Sequence, residues 1–322
     1  MKSIILLFGM PRSGTTWLAK IFDSHPDTLY RHEPDGRGTL NSLPLFPSRR
    51  DAEQYRHFLD GYIAHLPDIR DEKISASLPL FRKHYYTDAT FALRRLAVFA
   101  YKLASHFFGR INVPDFVDFA SHDGIRLVWK SIESLGRLGV LTTLQPDARC
   151  VIIIRHPCGY VSSVQRGESI GKFEAGTKSS NDWGIYEALL ELPAAKARGL
   201  NMFKIQAMSA VERLALKWSL TYEHVLSETE GMENVLVVRY EDICADPLGE
   251  MQRSLQHCHL PFAKETEAFL SSSTSQSSSD YYGVFKIPLE SAWKWRKQLT
   301  PEDAAAILRV ASGFRAGALY PE

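Results

Sequence analysis

The first residues with a pattern suited to ligand binding form a short loop near the start of the chain. Five apolar residues, 4–8, predict a buried strand, and the sequence PRSGTTW follows at positions 11–17. Gly9 and Gly14 permit backbone angles that are closed to other residues, so the loop can turn its N–H groups inward. A helix beginning at Gly14 would add unpaired donors and the positive end of its dipole. The pattern therefore predicts an oxyanion site.

The charges of this loop differ from those of a nucleotide triphosphatase. Gly14-Thr15-Thr16 stands where such an enzyme has Gly-Lys-Ser/Thr, and no apolar strand ends in an aspartate that could hold magnesium. Arg12 carries the positive charge instead, and its guanidinium can fork onto an oxyanion while the threonine hydroxyls add donors. A kinase or triphosphatase with a degenerate loop stays open as an alternative, and it would depend on magnesium.

A second anion site is predicted within residues 151–166, VIIIRHPCGYVSSVQR. A strand ends at Arg155, Pro157 begins a helix, and Ser163 follows eight residues after the arginine (163 − 155). An arginine at the carboxyl end of a strand and a hydroxyl on the next helix can converge on one phosphate. The alternative is that Arg155 forms a surface ion pair and Ser163 is an ordinary helix hydroxyl.

Together these strings resemble the cofactor motifs of sulfotransferases that use 3′-phosphoadenosine 5′-phosphosulfate (PAPS). PRSGTTW is similar to the family's 5′-phosphosulfate loop, in which many members carry lysine at the place of Arg12. The second string resembles the 3′-phosphate motif, which usually has Asp or Asn where this chain has His156. The resemblance implies that PAPS is bound by Pro11, Arg12, Ser13, Gly14, Thr15, Thr16, Trp17, Arg155 and Ser163.

Two further segments carry the resemblance toward the C-terminus. Residues 292–303, AWKWRKQLTPED, are similar to a basic, aromatic segment that closes over the nucleotide in the family, which implies that Trp295, Arg296 and Lys297 bind the cofactor. The alternative is an exposed basic turn whose tryptophans pack inward. Residues 237–247, VVRYEDICADP, also resemble the family, and we interpret them as structural, with a helix cap at or near Asp242.

Sulfuryl transfer to a hydroxyl requires a base for the acceptor proton and positive charge near the leaving phosphate, and no metal. Glu33 lies 24 residues after Gly9 (33 − 9), about where the next strand would end beside the first. Several carbohydrate-type sulfotransferases use a glutamate in this region as base. His32 is the rival, because the cytosolic branch uses a histidine from another strand. That branch's Lys-Thr-His motif would fall near 129–132, where Lys130 is present but Ile132 replaces the histidine, which favours Glu33.

The remaining catalytic candidates are cationic. Lys130 is 25 residues before Arg155 (155 − 130), similar to the family's spacing, and is expected to stabilise the transferring sulfuryl group together with Arg12. The alternative for Lys130 is an ordinary ion pair with Glu33 or Glu133. For Glu33 the alternative is an exposed carboxylate before a turn at Pro34.

The elements that must position these residues are short apolar strands alternating with helices. Residues 4–8, 126–130, 150–154 and 235–238 predict strands of a parallel sheet, with helices near 134–144, 51–66 and 88–108. This predicts an α/β fold with a central parallel sheet flanked by helices, and the resemblance implies the P-loop NTPase-like sulfotransferase fold. We expect one domain over 1–322, in which segments 35–120 and 168–210 shape an acceptor pocket or pack the sheet's outer face. The serine-rich residues 271–279 predict a solvated loop.

Composition sets the remaining limits. The 322 residues include 45% apolar and 23% charged residues with a formal charge of +1, which gives no global argument for nucleic acid or an anionic membrane. The four cysteines contain no C-x-x-C pair, and the first apolar run is too short to span a membrane, so we expect a cytoplasmic protein without a targeting segment.

The function expected from these patterns is a sulfotransferase that uses PAPS and releases 3′-phosphoadenosine 5′-phosphate (PAP). The acceptor is expected to be a small-molecule, lipid or sugar hydroxyl, and the oligomeric state stays open. A non-catalytic module that binds PAP is a further alternative, and it would be insensitive to replacement of Glu33.

Overall fold

The computed structural model describes residues 2–321 except 110, 120–121, 123, 171–177 and 276–287. Its described strands form one parallel sheet in the order β2-β3-β1-β4-β5. The strands are β1 Lys2–Phe8, β2 Thr28–His32, β3 Arg126–Ser131, β4 Arg149–Ile154 and β5 Val235–Arg239. The four predicted strands are all present, with bounds that differ by at most two residues at either end.

Helices connect these strands and cover both faces of the sheet. They are α1 Thr15–Ser24, α2 Arg56–His65, α3 Glu72–Ser75, α4 Asp88–Phe108, α5 Leu138–Leu144, α6 Pro157–Ser169, α7 Trp183–Leu190, α8 Pro193–Ala197, α9 Met202–Ala207, α10 Ala210–Glu228, α11 Tyr240–Ala245, α12 Pro247–His257, α13 Lys264–Ser275, α14 Pro288–Trp293 and α15 Pro301–Ala311. The predicted fold class, a central parallel sheet flanked by helices, is confirmed.

The two faces of the sheet form separate apolar layers because successive side chains of a strand point in opposite directions. Leu6 and Trp129 pack on one face against α5, α6 and α10. Leu7 and Val128 pack on the other face against α1, α12 and α13. This alternation fixes which side chains at the strand ends point toward α1.

The central position of β1 places the loop that follows it in the middle of the sheet's carboxyl edge. β3 and β4 flank β1, so the chain crosses from one side of β1 to the other between them. Ligands of open α/β sheets bind at such a switch point. The expectation that the strand before Glu33 lies beside β1 was wrong: β2 pairs with β3 and forms the edge of the sheet.

Several local predictions also need correction. The predicted helix over 51–66 begins as a 3₁₀ turn at Arg49–Tyr55 and becomes α-helical only in α2, whereas α4 has the predicted bounds 88–108. The serine-rich loop was wrong for residues 271–275, which form the last turn of α13 and hydrogen-bond back along the helix. Residues 276–279 lie outside the described part of the chain.

None of the helices in the described part of the chain is long and apolar enough to cross a membrane.

Candidate active site

The loop after β1 adopts the conformation that its glycines allow. Arg12 has φ 70° and Gly14 has φ 90°, both in the left-handed region, and α1 begins at Thr15. A Cβ atom added to Gly14 would lie 2.4 Å from the ring of Tyr240, so both the angle and the space require glycine. The loop therefore packs closely against Tyr240 at the start of α11.

Tyr222 of α10 holds this loop from behind. Its hydroxyl accepts a hydrogen bond from the Met10 N–H at 3.2 Å, donates to the Ile153 carbonyl at 2.9 Å and lies 3.4 Å from Ser13 Oγ. Sequence reasoning missed this residue because an aromatic side chain on an amphipathic helix gives the same pattern as any other core residue.

The predicted loop residues differ in exposure. Pro11 is exposed, Ser13 and Thr15 are buried, and Arg12, Gly14, Thr16 and Trp17 are partly exposed. The Trp17 indole N–H donates to Ser273 Oγ of α13 at 3.1 Å, so this side chain contacts a neighbouring helix.

The two predicted anion sites contact each other. Arg155 Nη1 donates to the Arg12 carbonyl at 2.9 Å, and Arg12 Nε donates to Ser163 Oγ at 3.2 Å. Arg155 Nη2 donates to the Ser291 carbonyl at 2.9 Å, while its Nε is buried without a hydrogen-bond partner among the described residues. Gly159 leaves room for this arginine, since an added Cβ would lie 2.9 Å from Arg155 Nε. Residues separated by more than 140 positions thus form one cationic centre.

The C-terminal basic segment lies against the same centre. Trp295 is buried and stacks on His156, with ring centroids 4.7 Å apart. The Arg296 guanidinium lies 4.4 Å from the exposed Trp293 ring, and Lys297 is exposed. The indole N–H of Trp295 is buried and has no hydrogen-bond partner among the described residues. Of the three predicted residues here, Trp295 and Arg296 are thus tied to the second anion motif through His156.

His156 can stand where the family usually has Asp or Asn because it caps the following helix in the same way. Its Nδ1 accepts the Cys158 N–H at 3.2 Å and so caps α6, as an Asn or Asp side chain would. Burial, followed by the positive charges of Arg296 and Arg155, lowers the pKa of His156 to about 4. The imidazole is therefore neutral at pH 7.

Replacement of His156 by Asn should make the protein less sensitive to acid. Because the folded-state pKa lies below the unfolded value, His156 favours folding above pH 6.5, and this contribution is lost as the pH falls toward 4. His156→Asn keeps a capping side chain but removes about 2 kcal/mol of this pH dependence between pH 7 and 4.5. Urea unfolding at pH 7 and 4.5 measures it, with the exposed His65→Asn as control. An unchanged difference between the two pH values would contradict the assignment.

Glu33 and Lys130 meet at the carboxyl ends of β2 and β3. Lys130 is paired in register with His32 and with Leu7 of β1, which places it between the loop and Glu33. Its ammonium group donates to Glu33 Oε1. The Lys130 side chain is 1% exposed and that of Glu33 is 29% exposed, so the carboxylate faces solvent while the ammonium does not. Burial lowers the pKa of Lys130, and Glu33 opposes this shift.

His32, the rival base, is engaged with Tyr30. Tyr30 Oη and His32 Nδ1 are 2.7 Å apart, and His32 Nε2 lies 3.8 Å from Glu33 Oε1. Burial and the charge of Lys130 hold the pKa of His32 well below its usual range, and burial raises the pKa of Tyr30. The tautomer that suits both neighbours accepts the Tyr30 hydroxyl proton at Nδ1 and points Nε2–H toward the carboxylate. In that form the nitrogen nearest Glu33 has no lone pair to accept a proton.

The segment after β5 has structural contacts, as expected, but the residue that caps a helix there is Asp246 and not Asp242. Asp242 forms a bidentate ion pair with Arg239, and Asp246 caps α12 by accepting the Gly249 N–H. Glu241 is buried and accepts hydrogen bonds from the His156 N–H and the Tyr320 hydroxyl. Its carboxylate therefore holds the start of α6 in place.

Comparison with known proteins gives one family. A sequence profile of the sulfotransferase family matches residues 5–184, which is 180 of the 322 residues (184 − 5 + 1). The sulfotransferase domain of the Synechococcus PCC 7002 olefin synthase is 16% identical, with 100% of this chain and 97% of that one covered and a TM-score of 0.49. The sulfotransferase domain from the curacin biosynthetic pathway is 14% identical over 97% of both chains, with a TM-score of 0.46. Mouse sulfotransferase SULT7A1, solved with PAP, is 13% identical over 100% and 90%, with a TM-score of 0.42. No curated protein matches.

Proposed function

The chain belongs to the sulfotransferase family, and from this premise we propose that it transfers a sulfuryl group from PAPS to an acceptor hydroxyl and releases PAP. The observation that carries the proposal is the contact between the two anion motifs, in which Arg155 binds the Arg12 carbonyl and Arg12 binds Ser163. A donor with one phosphate group at the 5′ position and another at the 3′ position requires two such sites side by side.

The residues at these sites suit that nucleotide. The backbone N–H groups at the start of α1 and the hydroxyls of Thr15 and Thr16 would hold the 5′-phosphosulfate. Arg155, Ser163 and the segment of Trp295, Arg296 and Lys297 would hold the 3′-phosphate. The buried Arg155 Nε and Trp295 Nε1 lack partners among the described residues, and each is a donor that an anion could satisfy. When bound, PAPS supplies the sulfuryl group.

Glu33 and Lys130 perform the chemistry in this proposal. Glu33 accepts the proton of the acceptor hydroxyl, because its carboxylate is partly open to solvent at the sheet edge. Lys130 and Arg12 supply positive charge where it develops during transfer, so the reaction does not call for a metal. The proposed His32 tautomer donates toward Glu33 and so supports the carboxylate form of the base.

The proposed acceptor is a small-molecule, lipid or sugar hydroxyl. It would enter beside β2, against which α3 of the segment between β2 and β3 packs. The four cysteines are buried free thiols, which suits a reducing compartment such as the cytoplasm.

Calorimetric titration with PAP in the absence of magnesium tests the proposed donor. We expect PAP to bind, and adenosine 5′-phosphate, which lacks the 3′-group, to bind roughly 10- to 100-fold more weakly, because a charge-assisted phosphate contact is lost. Arg155→Ala should reduce PAP affinity by a similar factor. Arg239→Ala is the matched control, since this arginine ends the neighbouring strand β5 but pairs with Asp242.

Two outcomes would overturn the proposal. If PAP and adenosine 5′-phosphate bind equally well, the second anion site does not recognise a 3′-phosphate. If binding requires magnesium and a triphosphate, the chain is a kinase or triphosphatase with a degenerate loop.

A further inference from the structure

Helix α4, Asp88–Phe108, has an apolar outer face. Leu93, Leu96, Phe99 and Leu103 are 51%, 68%, 55% and 67% exposed. Alanines 89, 92 and 100 lie on the same side and are also exposed. At 100° per residue these positions cover roughly 120° of the helix over about 21 Å of its length. Phe203 and Leu248 are exposed singly on separate elements, and Leu289 and Trp293 form an exposed pair one turn apart on α14.

The opposite face of α4 is fixed to the protein, so the outer face cannot turn inward. Arg94 donates to the carbonyls of Ser75 and Pro114, and Lys102 pairs with Glu72. Val98 is fully buried. A helix held in this way presents its apolar side outward as a permanent feature of the fold.

Few charged side chains border this face, and their net charge is positive. Arg94 and Lys102 belong to the opposite face, where Arg94 pairs with Asp115 and Lys102 pairs with Glu72. Arg95 is exposed at the border of the apolar face, while Asp88 is paired with Arg82. Arg82 thus balances the exposed Asp88 carboxylate, which leaves Arg95 as the net positive charge at the border of the face.

A second copy of the chain suits this face less well. A stable interface takes about 20 to 30 residues from each partner, whereas the face offers seven residues. A bilayer surface has no such size requirement, because an apolar helix face with a basic residue at its border gains from both apolar burial and anionic headgroups.

We propose that the outer face of α4 docks this protein on the surface of an anionic lipid bilayer. The helix lies in the plane of the interface with Leu96 and Leu103 in the acyl boundary and Arg95 among the phosphates. The proposal does not depend on the donor nucleotide.

Vesicle flotation of the purified full chain tests this proposal. We expect the protein to float with phosphatidylcholine vesicles that contain phosphatidylglycerol. The double substitution Leu96→Glu and Leu103→Glu should lower the bound-to-free ratio at least about tenfold, since it removes two buried leucines. Arg95→Gln should lower it about fivefold on anionic vesicles. Phe203→Glu, at an exposed phenylalanine on α9, is the matched control and should float like the unmodified protein.

Three outcomes would overturn the proposal, and each has its own signature. The first is that the unmodified protein does not float with any vesicle. The second is that the double variant floats as well as the unmodified protein. The third is that Phe203→Glu loses flotation as strongly as the double variant. Light scattering is measured in parallel. A dimer that the double variant converts to a monomer, without vesicle binding, would assign the face to a second copy of the chain. Circular dichroism of each variant verifies that it is folded.

Discussion

The Glu33→Gln variant should bind PAP normally and yet transfer sulfuryl groups roughly 10²- to 10⁴-fold more slowly, which is the usual contribution of a general base. The amide keeps the shape of the side chain and can still accept a hydrogen bond from Lys130, but it cannot take the acceptor's proton. The rate is measured with labelled PAPS and whichever of a phenol, a sterol, a glycolipid or a monosaccharide the unmodified enzyme sulfates fastest. Calorimetry with PAP separates a catalytic loss from a folding defect.

Two matched variants test whether Glu33, and not a neighbouring residue, is the general base. Glu133→Gln removes an exposed carboxylate just beyond the end of β3 and should leave the rate within a fewfold of the unmodified enzyme. His32→Gln removes the rival base and should cost much less than Glu33→Gln, because His32 Nδ1 is occupied by Tyr30. A larger loss in His32→Gln would make the histidine the base. If Glu33→Gln transfers sulfuryl groups at an unchanged rate, the only role of the Glu33 carboxylate is its ion pair with Lys130.

The sequence was sufficient to predict four strands of the sheet and to single out the two motifs at their carboxyl ends, because each has a local signal. Buried parallel strands are continuous apolar runs, so β1 and β4 were predicted within two residues of their observed bounds. Gly14 and Pro157 mark the starts of α1 and α6, and Arg155 stands immediately after β4. The observed proximity of these motifs follows from the parallel arrangement, in which the carboxyl ends of all strands share one edge.

The features that could not be predicted depend on contacts between distant residues. The Tyr222 hydroxyl supports the loop from α10, more than 200 positions away in sequence. The order of the strands in the sheet, which places β2 beside β3, is not encoded by any local pattern. The serines at 271–275 extend α13 because Ser273 is buried and contacts Trp17 there, which overrides their weak helix propensity.

Lys130 had two interpretations in the sequence, as a stabiliser of the transferring group and as a partner of Glu33, and the structure places it where it could do both. It lies against the start of the loop through Leu7 and donates to the Glu33 carboxylate. A single substitution therefore cannot separate the two roles, because either one predicts a slower enzyme. The combination of Lys130 and Glu33 substitutions can separate them.

Lys130→Met should lower the rate of transfer by roughly 10²- to 10³-fold, the typical cost of losing one electrostatic stabiliser. If Lys130 acts on the transferring group, the substitution should also slow the enzyme further when Glu33 is already Gln, so the two effects remain at least partly additive. If Lys130 only orients Glu33, the double variant should be no slower than Glu33→Gln.

Because burial lowers the pKa of Lys130, activity that depends on its charge should decline as the pH rises through that value, below 10.5. Lys130→Arg should move this decline to higher pH, since the guanidinium retains its proton.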